Sequence, residues 1–188
     1  MEQCGRELGH PVGQLITPLT RRADRGVQYA VDNGAFAGFK EKAFIAILKR
    51  QQKASNRCLF VAAPDVVGSA AETHTLFFQW HERLKDWPIA FVAQDGIEDV
   101  WIPWSFISAL FIGGSTDFKL GAQAEKAIIE AKRRKKWVHI GRINTAIRFD
   151  RFKALGADSC DGTGISRYSH MRQKLSEGLP LFDQTAQS

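Results

Sequence analysis

The sequence predicts an α/β fold, a single domain built as a compact or incomplete TIM-like (β/α)8 barrel. Three observations carry that expectation. Short apolar runs alternate along the chain with amphipathic stretches, the order of parallel βα units. Five of those runs end in a small cluster of Asp, Gln and Gly: Tyr29-Ala-Val-Asp-Asn-Gly-Ala-Phe36, Leu59-Phe-Val-Ala-Ala-Pro-Asp65, Ile89-Ala-Phe-Val-Ala-Gln-Asp-Gly96, Leu110-Phe-Ile-Gly-Gly-Ser115 and Ala157-Asp-Ser-Cys-Asp-Gly-Thr-Gly164. A strand buried on both faces carries polar residues cheaply only at its end, so their recurrence places a common site at one rim of a parallel sheet.

In order along the chain, Gly13-Gln-Leu-Ile-Thr-Pro18 reads as a short first strand stopped by proline. Arg21 to Arg25 form a charged connection into a strand over Tyr29 to Val31. From Lys40 to Lys53, apolar Phe44, Ile47 and Leu48 recur between polar residues with the period of an amphipathic helix. A strand from Cys58 to Ala63 follows. Ser69 is placed to cap the next helix, with Glu72 three residues on as in a capping box, and Thr73 to Lys85 continue it.

Trp87-Pro88 stops that helix ahead of a strand over Ile89 to Ala93. Glu98 to Ser105 is a Trp-rich connection with no readable conformation. A strand over Ala109 to Ile112 precedes a helix over Ala122 to Arg134, and a strand over Trp137 to Ile140 precedes a helix from Asn144 to Leu155. A last strand over Asp158 to Cys160 leads to a helix from Ser166 to Leu175. About seven strands set against the eight of a full barrel, in a chain short of the ~250 residues typical of one, favour the compact form. The same pattern admits an open doubly wound sheet, although no Gly-x-Gly-x-x-Gly or Walker loop supports a nucleotide-binding version. Residues 1–12 and 179–188 are expected to be peripheral tails.

With 188 residues, 44% hydrophobic and 24% charged, the chain fits one core-forming domain. No stretch approaches the ~20 apolar residues of a membrane span and the first residues lack an apolar signal core, so a soluble cytoplasmic protein without membrane partners is expected. Cys4, Cys58 and Cys160 form no Cys-x-x-Cys pair, which points away from a disulfide framework or a thiolate zinc site, and Cys58 and Cys160 read as core. The net charge of +6 suits a polyanionic partner, since phosphate neutralisation rewards clustered Lys and Arg. Such a charge is also common in ordinary soluble proteins.

Asp32 and Asp161 rank first for chemistry, each just past a buried strand and each followed by glycine within two residues. Two positioned carboxylates suffice for displacement at an anomeric carbon: one attacks C1′ and the other handles the proton. Gly34 and Gly162 would let a substrate approach the backbone. Asp32-Asn33-Gly34 and Asp161-Gly162 also read as plain turns. Asp65, Gln94 and the Gly113-Gly114 pair form a second set able to read a purine-like edge by side-chain and backbone hydrogen bonds, with Phe36 to stack on the base at ~1–3 kcal/mol. Taken singly, Asp65 also fits a turn cap, Gln94 a partner for backbone groups and Phe36 a core residue.

The ordered series resembles the tRNA-guanine transglycosylase superfamily, and most closely its short DNA-acting relatives, the 7-deazaguanine DNA transglycosylases. Asp32-Asn-Gly-Ala-Phe36 is similar to the family's Asp-Ser-Gly-Gly-aromatic motif, with an acid/base Asp and a base-stacking aromatic. Asp65 falls at the family's base-recognising Asp, with Phe77, Phe78 and Trp80 in the helix after it. Gln94 matches the Gln of its apolar-Gln-Gly strand end, and Gly113-Gly114 its base-binding turn. His139-Ile-Gly141 resembles the Met-Gly segment that lies against the base, placing Ile140 and Gly141 there. Asp161 in Gly156-Ala-Asp-Ser-Cys-Asp161 is similar to the covalent nucleophile of Gly-x-Asp-x-x-Asp. The likeness runs from Gln14 to Arg167.

Two departures bear on the substrate. The tRNA enzymes carry a Cys-x-Cys-x-x-Cys…His zinc subdomain after the nucleophile strand, and this chain has no cysteine after Asp161. The family's Pro-Thr-Arg is replaced by Gly162-Thr-Gly-Ile-Ser-Arg167. The resemblance therefore implies DNA as partner, guanine and a preQ0-like 7-deazaguanine as the exchanged bases, a bacterial or phage-infected cell as setting, and neither cofactor nor metal.

Lys119, Arg142 and Arg167 follow strand exits and are the expected phosphate contacts. Asp158, three positions before Asp161, should face the opposite way on the strand. Asp95 reads as a loop residue, Asp117 as a helix cap, and Lys132-Arg-Arg-Lys-Lys136 as a solvated helix end on the rim away from the site. Two other classes stay open: a metal-dependent hydrolase or lyase with Asp32, Asp65 and Asp161 around Mg²⁺ or Mn²⁺, and a non-catalytic binder of nucleic acid or modified base.

Overall fold

A computed structural model of the chain describes residues 11–19 and 24–162. Seven strands form one sheet: β1 (Gln14–Ile16), β2 (Tyr29–Val31), β3 (Cys58–Ala62), β4 (Ile89–Ala93), β5 (Ala109–Ile112), β6 (Trp137–Ile140) and β7 (Ser159–Cys160). They lie in chain order, each parallel to the next. A parallel neighbour is reached only by crossing back over a sheet face. Helix α1 (Glu41–Gln51) makes that crossing between β2 and β3, and α2 (Ala70–Trp80) between β3 and β4. Helices α3 (Thr116–Leu120) and α4 (Ala122–Arg133) join β5 to β6, and α5 (Ala146–Ala154) joins β6 to β7.

The crossing from β4 to β5 is the Trp-rich stretch, and it holds two short 3-10 turns, Ile97–Asp99 and Trp104–Phe106, in place of a helix. Helix starts follow local hydrogen bonding. The Ser69 hydroxyl accepts the Glu72 N–H at 3.3 Å, as the capping pattern predicts, and Thr145 accepts the Arg148 N–H at 3.3 Å. At α3 the cap is Ser115, which accepts the Phe118 N–H at 3.0 Å; Asp117, the expected cap, sits in the first turn instead.

Alternation along the strands sorts the core into two layers. Tyr29, Val31, Val61, Ile89, Phe91, Leu110, Ile112, Val138 and Ile140 point outward and pack with Phe44, Phe77, Ala124, Ile128 and Phe152 of the helices. Ala30, Phe60, Ala62, Ala90, Val92, Ala109 and Phe111 point the other way and pack on one another. That inner face is concave. On a flat sheet, β3 and β6 would stand about 14 Å apart, three strand spacings, yet the Phe60 and His139 rings have centroids 4.9 Å apart.

The sheet is therefore a curled, seven-stranded half-barrel with β1 and β7 at its edges, the coarse form of the expected fold. Among the described residues no helix is long and apolar enough to cross a membrane. Arg167, the helix expected from Ser166 to Leu175, Cys4 and nearly all of both tails lie outside the described residues.

Candidate active site

The strand alternation that builds the inner layer also chooses which residues meet at the rim. One residue past β2, β4, β5, β6 and β7, the inward register falls on Asp32, Gln94, Gly113, Gly141 and Asp161. Ladder hydrogen bonds run on into these positions: Asp32 N–H donates to Ile16 O at 2.9 Å, Gly113 to Ala93 at 2.9 Å, Gly141 to Ile112 at 3.0 Å and Asp161 to Ile140 at 3.1 Å. Space there is tight. A Cβ on Gly113 would lie 2.9 Å from both Gln94 Nε2 and Val92 Cγ1, and one on Gly141 2.7 Å from the Phe111 ring.

Asp161 is held on both carboxylate oxygens. Its Oδ1 accepts the Arg142 backbone N–H at 2.9 Å and its Oδ2 lies 3.1 Å from His139 Nε2. Burial pushes its carboxyl up, but the His139 contact, the Arg142 N–H and the Lys119 charge together outweigh burial and hold it below the usual carboxylate range. Asp32 is shifted the other way. Burial raises its carboxyl, the Gly34 N–H bond at 2.7 Å opposes that, and the Asp161 charge raises it further. Asp32 and Asp161 stand at the exits of β2 and β7, the second and last strands of the curled sheet, and the Asp161 charge acts on Asp32.

Asp65 forms the floor with two neighbours. Its Oδ1 accepts from Asn33 Nδ2 at 2.7 Å and its Oδ2 from Gln94 Nε2 at 2.6 Å. Gln94 Oε1 in turn accepts the Gly68 N–H at 3.0 Å, so both ends of that amide are engaged. Burial carries the Asp65 carboxyl up to about 6 against the opposing pull of the two amide donors.

A cleft of about 500 Å³ opens beside this floor, lined by Phe36, Gly114, Ser115, Lys119, Arg142 and Arg148 among others. Phe36 stands at its mouth, 72% exposed, with the Arg142 guanidinium 4.3 Å over its ring. The same guanidinium donates to Gly114 O at 2.9 Å, which ties the β5 and β6 exits together. Gly114 has φ 70°, and a Cβ there would meet Phe118 at 2.6 Å and Asp95 at 2.7 Å. Lys119 is buried, its Nζ donates to Gly141 O at 3.0 Å, and burial and Arg142 lower its amine to about 8.

Asp32, Asp65, Gln94, Gly113, Gly141 and Asp161 thus share one rim, with Phe36, Gly114, Lys119 and Arg142 around the adjoining cleft. The Ile140 side chain is turned away, fully buried against the helices, and only its carbonyl serves the rim, accepting from Asp161 N–H. Two residues take roles that the sequence did not assign them. Asn33, 1% exposed, bridges β2 to β3, and His139, 4% exposed, is a partner of Asp161. The available signal was period two: His139 shares the inward register of Gly141, two residues ahead of it on β6.

Other expectations find their places. Asp158 faces the helices, accepting the Val138 N–H at 2.7 Å and Lys132 Nζ at 2.7 Å. Asp95 anchors the β5 loop through Ser115, whose N–H and hydroxyl it accepts at 2.8 and 2.5 Å. In the basic run, Lys132 pairs with Asp158, and Arg133 and Arg134 with Glu130, at the helix end that precedes β6. Cys58 and Cys160 pack against the outer core, and burial pushes both thiols up to about 12. Among the described residues, no group of three or more His, Cys, Asp and Glu is gathered in a way that could hold a metal ion.

Fold and site together define a class: an α/β half-barrel with an acidic site at the carboxyl-end rim of a parallel sheet. Neither protein-family models nor curated proteins match the chain.

Proposed function

We propose that the protein is a DNA-guanine transglycosylase on an incomplete TIM-like barrel, a relative of the tRNA-guanine transglycosylases that exchanges guanine in DNA for a 7-deazaguanine such as preQ0. The observation that carries this reading is that the strand register brings Asp32 and Asp161 to one rim, where Asp161 is held on both oxygens and the two carboxyls are shifted in opposite directions. Environments that push two carboxyls apart assign one to attack and the other to proton transfer. Base exchange at C1′ needs that division of labour.

The guanine nucleotide is presented outside the helix stack, since C1′ cannot be attacked within a stacked duplex. An Asp161 oxygen forms a bond to C1′ as the C1′–N9 bond breaks, and the electron pair leaves with guanine, which takes a proton from Asp32. Guanine departs and the 7-deazaguanine enters. Asp32, now ionised, removes its N9 proton, N9 attacks C1′, and the ester pair returns to Asp161. Two inversions restore the original anomeric configuration.

The floor of Asp65 and Gln94 and the backbone of Gly113 and Gly114 supply the groups that would read the base edge, with Phe36 to stack on it. Arg142 and Lys119 in the cleft supply positive charge toward the phosphodiester.

The test is incubation of guanine-containing DNA with labelled preQ0, followed by digestion to nucleosides. Label enters the DNA with wild type, in chelator as well as without it, and Asp161→Asn abolishes it. No incorporation by wild type, or equal incorporation by Asp161→Asn, refutes the reading. Activity lost in chelator and restored by Mg²⁺ or Mn²⁺ supports the metal alternative.

A further inference from the structure

The inner face between β6 and β7 carries a chain of polar side chains where the rest of that face is apolar. His139 pairs in register with Ser159. Its Nδ1 lies 2.8 Å from Ser159 Oγ and its Nε2 3.1 Å from Asp161 Oδ2. Ser159 Oγ also accepts the indole N–H of Trp137 at 2.8 Å. An indole N–H only donates, so the hydroxyl keeps its own hydrogen for a neighbour. Facing an ionised Asp161, which only accepts, the neutral imidazole carries its N–H on Nε2, and Nδ1 takes the Ser159 hydroxyl hydrogen. In the imidazolium both ring nitrogens donate, and the Nε2–H again meets Asp161.

The ring has no freedom to do otherwise. It is 4% exposed and held between Phe60 and Phe111, with centroids at 4.9 and 4.7 Å. A polar ring among apolar ones costs desolvation unless both its nitrogens are bonded, and both are. Among the described residues, the other charged groups that bear on the Asp161 carboxylate are Lys119 from α3, Asp32 from the exit of β2 and, through its backbone N–H, Arg142. His139 bonds to it through its side chain.

We propose that His139 is a positioning residue for Asp161: its Nε2–H, oriented through Ser159 and Trp137, fixes the carboxylate and holds it in the charged form that attack requires. This rests on the transglycosylase reading only for what Asp161 attacks. Deeper inside the half-barrel than the rim, His139 acts through Asp161.

The test uses full-length protein labelled with ¹³C at the Asp carboxyls, with the Asp161 resonance assigned by its loss in Asp161→Asn and titrated in wild type, His139→Gln, His139→Phe and Ser159→Ala. The expected result is an Asp161 midpoint that rises by about one pH unit or more in His139→Phe. His139→Gln, which keeps an N–H donor, should fall between the two, and Ser159→Ala should shift less than His139→Phe. The rate of forming a denaturation-resistant DNA adduct should drop roughly tenfold in His139→Phe, with its acid limb moved to higher pH, and be partly rescued in His139→Gln.

An unchanged midpoint in folded His139→Phe overturns the proposal. Should that variant not fold, unchanged midpoints in both His139→Gln and Ser159→Ala overturn it. A shifted midpoint in a protein whose wild type never forms an adduct upholds the coupling and refutes the transglycosylase reading, so the two failures are distinguishable.

Discussion

Asn33 joins the exits of two strands with a single amide: its Nδ2 donates to the Ala63 carbonyl at 2.7 Å and to Asp65 Oδ1 at 2.7 Å. Its Oδ1 accepts the Ala35 N–H at 2.7 Å, so the whole side chain is engaged. Asn33→Ala leaves buried acceptors unpaired, which costs about 2–3 kcal/mol. In a domain of this size that lowers the melting temperature by roughly 4–12 °C. Scanning calorimetry against wild type measures it, and a shift under about 2 °C contradicts the bridging role.

Asp65 gives the fold a pH dependence of definite sign. Its carboxyl is raised from 3.8 to about 6 by burial, so between those values the unfolded chain has released a proton that the folded one still holds. Stability therefore falls as pH rises through that window, by about 3 kcal/mol in all, and is flat above it. Asp161 and Asp95 are shifted downward, and their contributions are lost only on acidification below that window. Asp32 is raised in the same sense and adds to the decline, so urea midpoints from about pH 4 to 7 should fall in wild type and fall by less in Asp65→Asn.

Gly141→Ala tests the crowding of the rim. The new Cβ would lie 2.7 Å from Phe111 Cε1, and Phe111 is one of the two rings that hold His139. Overpacking of this kind costs ~1–3 kcal/mol and displaces the ring. Guanidinium unfolding should report the loss, and adduct formation should fall more than Gly121→Ala makes it fall. Equal effects at the two glycines would count against a crowded rim.

The adjoining cleft offers Arg148 to a phosphate, and its positive charge acts on the Lys119 ammonium as that of Arg142 does. Arg148→Ala is expected to weaken DNA binding uniformly across sequences and to reduce the slope of log K against log salt by about 0.9, the value of one phosphate contact. Fluorescence anisotropy at several salt concentrations measures that slope. A slope equal to wild type removes the cleft from the DNA path.

Much of this arrangement was legible in the chain because it rests on period-two alternation and on strand ends. Asp32, Gln94 and Gly113 each follow an apolar run directly, and the run marks them, whereas Asp161 follows the short strand Ser159–Cys160 and is marked by the Gly-x-Asp-x-x-Asp pattern. Asp65 is legible for the same reason, although Pro64 carries it outside the strand register. Ile140 was misplaced because a motif's adjacency ignores alternation: neighbours on a strand face opposite ways, and Ile140 lies with the helices. His139 was invisible as a single polar letter inside an apolar strand, since its meaning depends on Ser159 and Asp161, two strand positions that only pairing brings near. The cap at α3 went to Ser115 over Asp117, because the helix starts two residues earlier than composition suggests. The Trp-rich crossing lacks periodicity, and its short 3-10 turns explain why.

The five rim residues that follow β2, β4, β5, β6 and β7 owe their direction to the pleat alone, which makes the site a matter of phase. One residue inserted within any of these strands would send the rim residue that follows it among the helices, while two would restore its direction and merely lift it by one repeat. Positions on the helices carry no such parity. Descendants of this chain are free to redraw their outer layer residue by residue, but their strands can change length only in even steps if the rim is to keep its carboxylates facing one another.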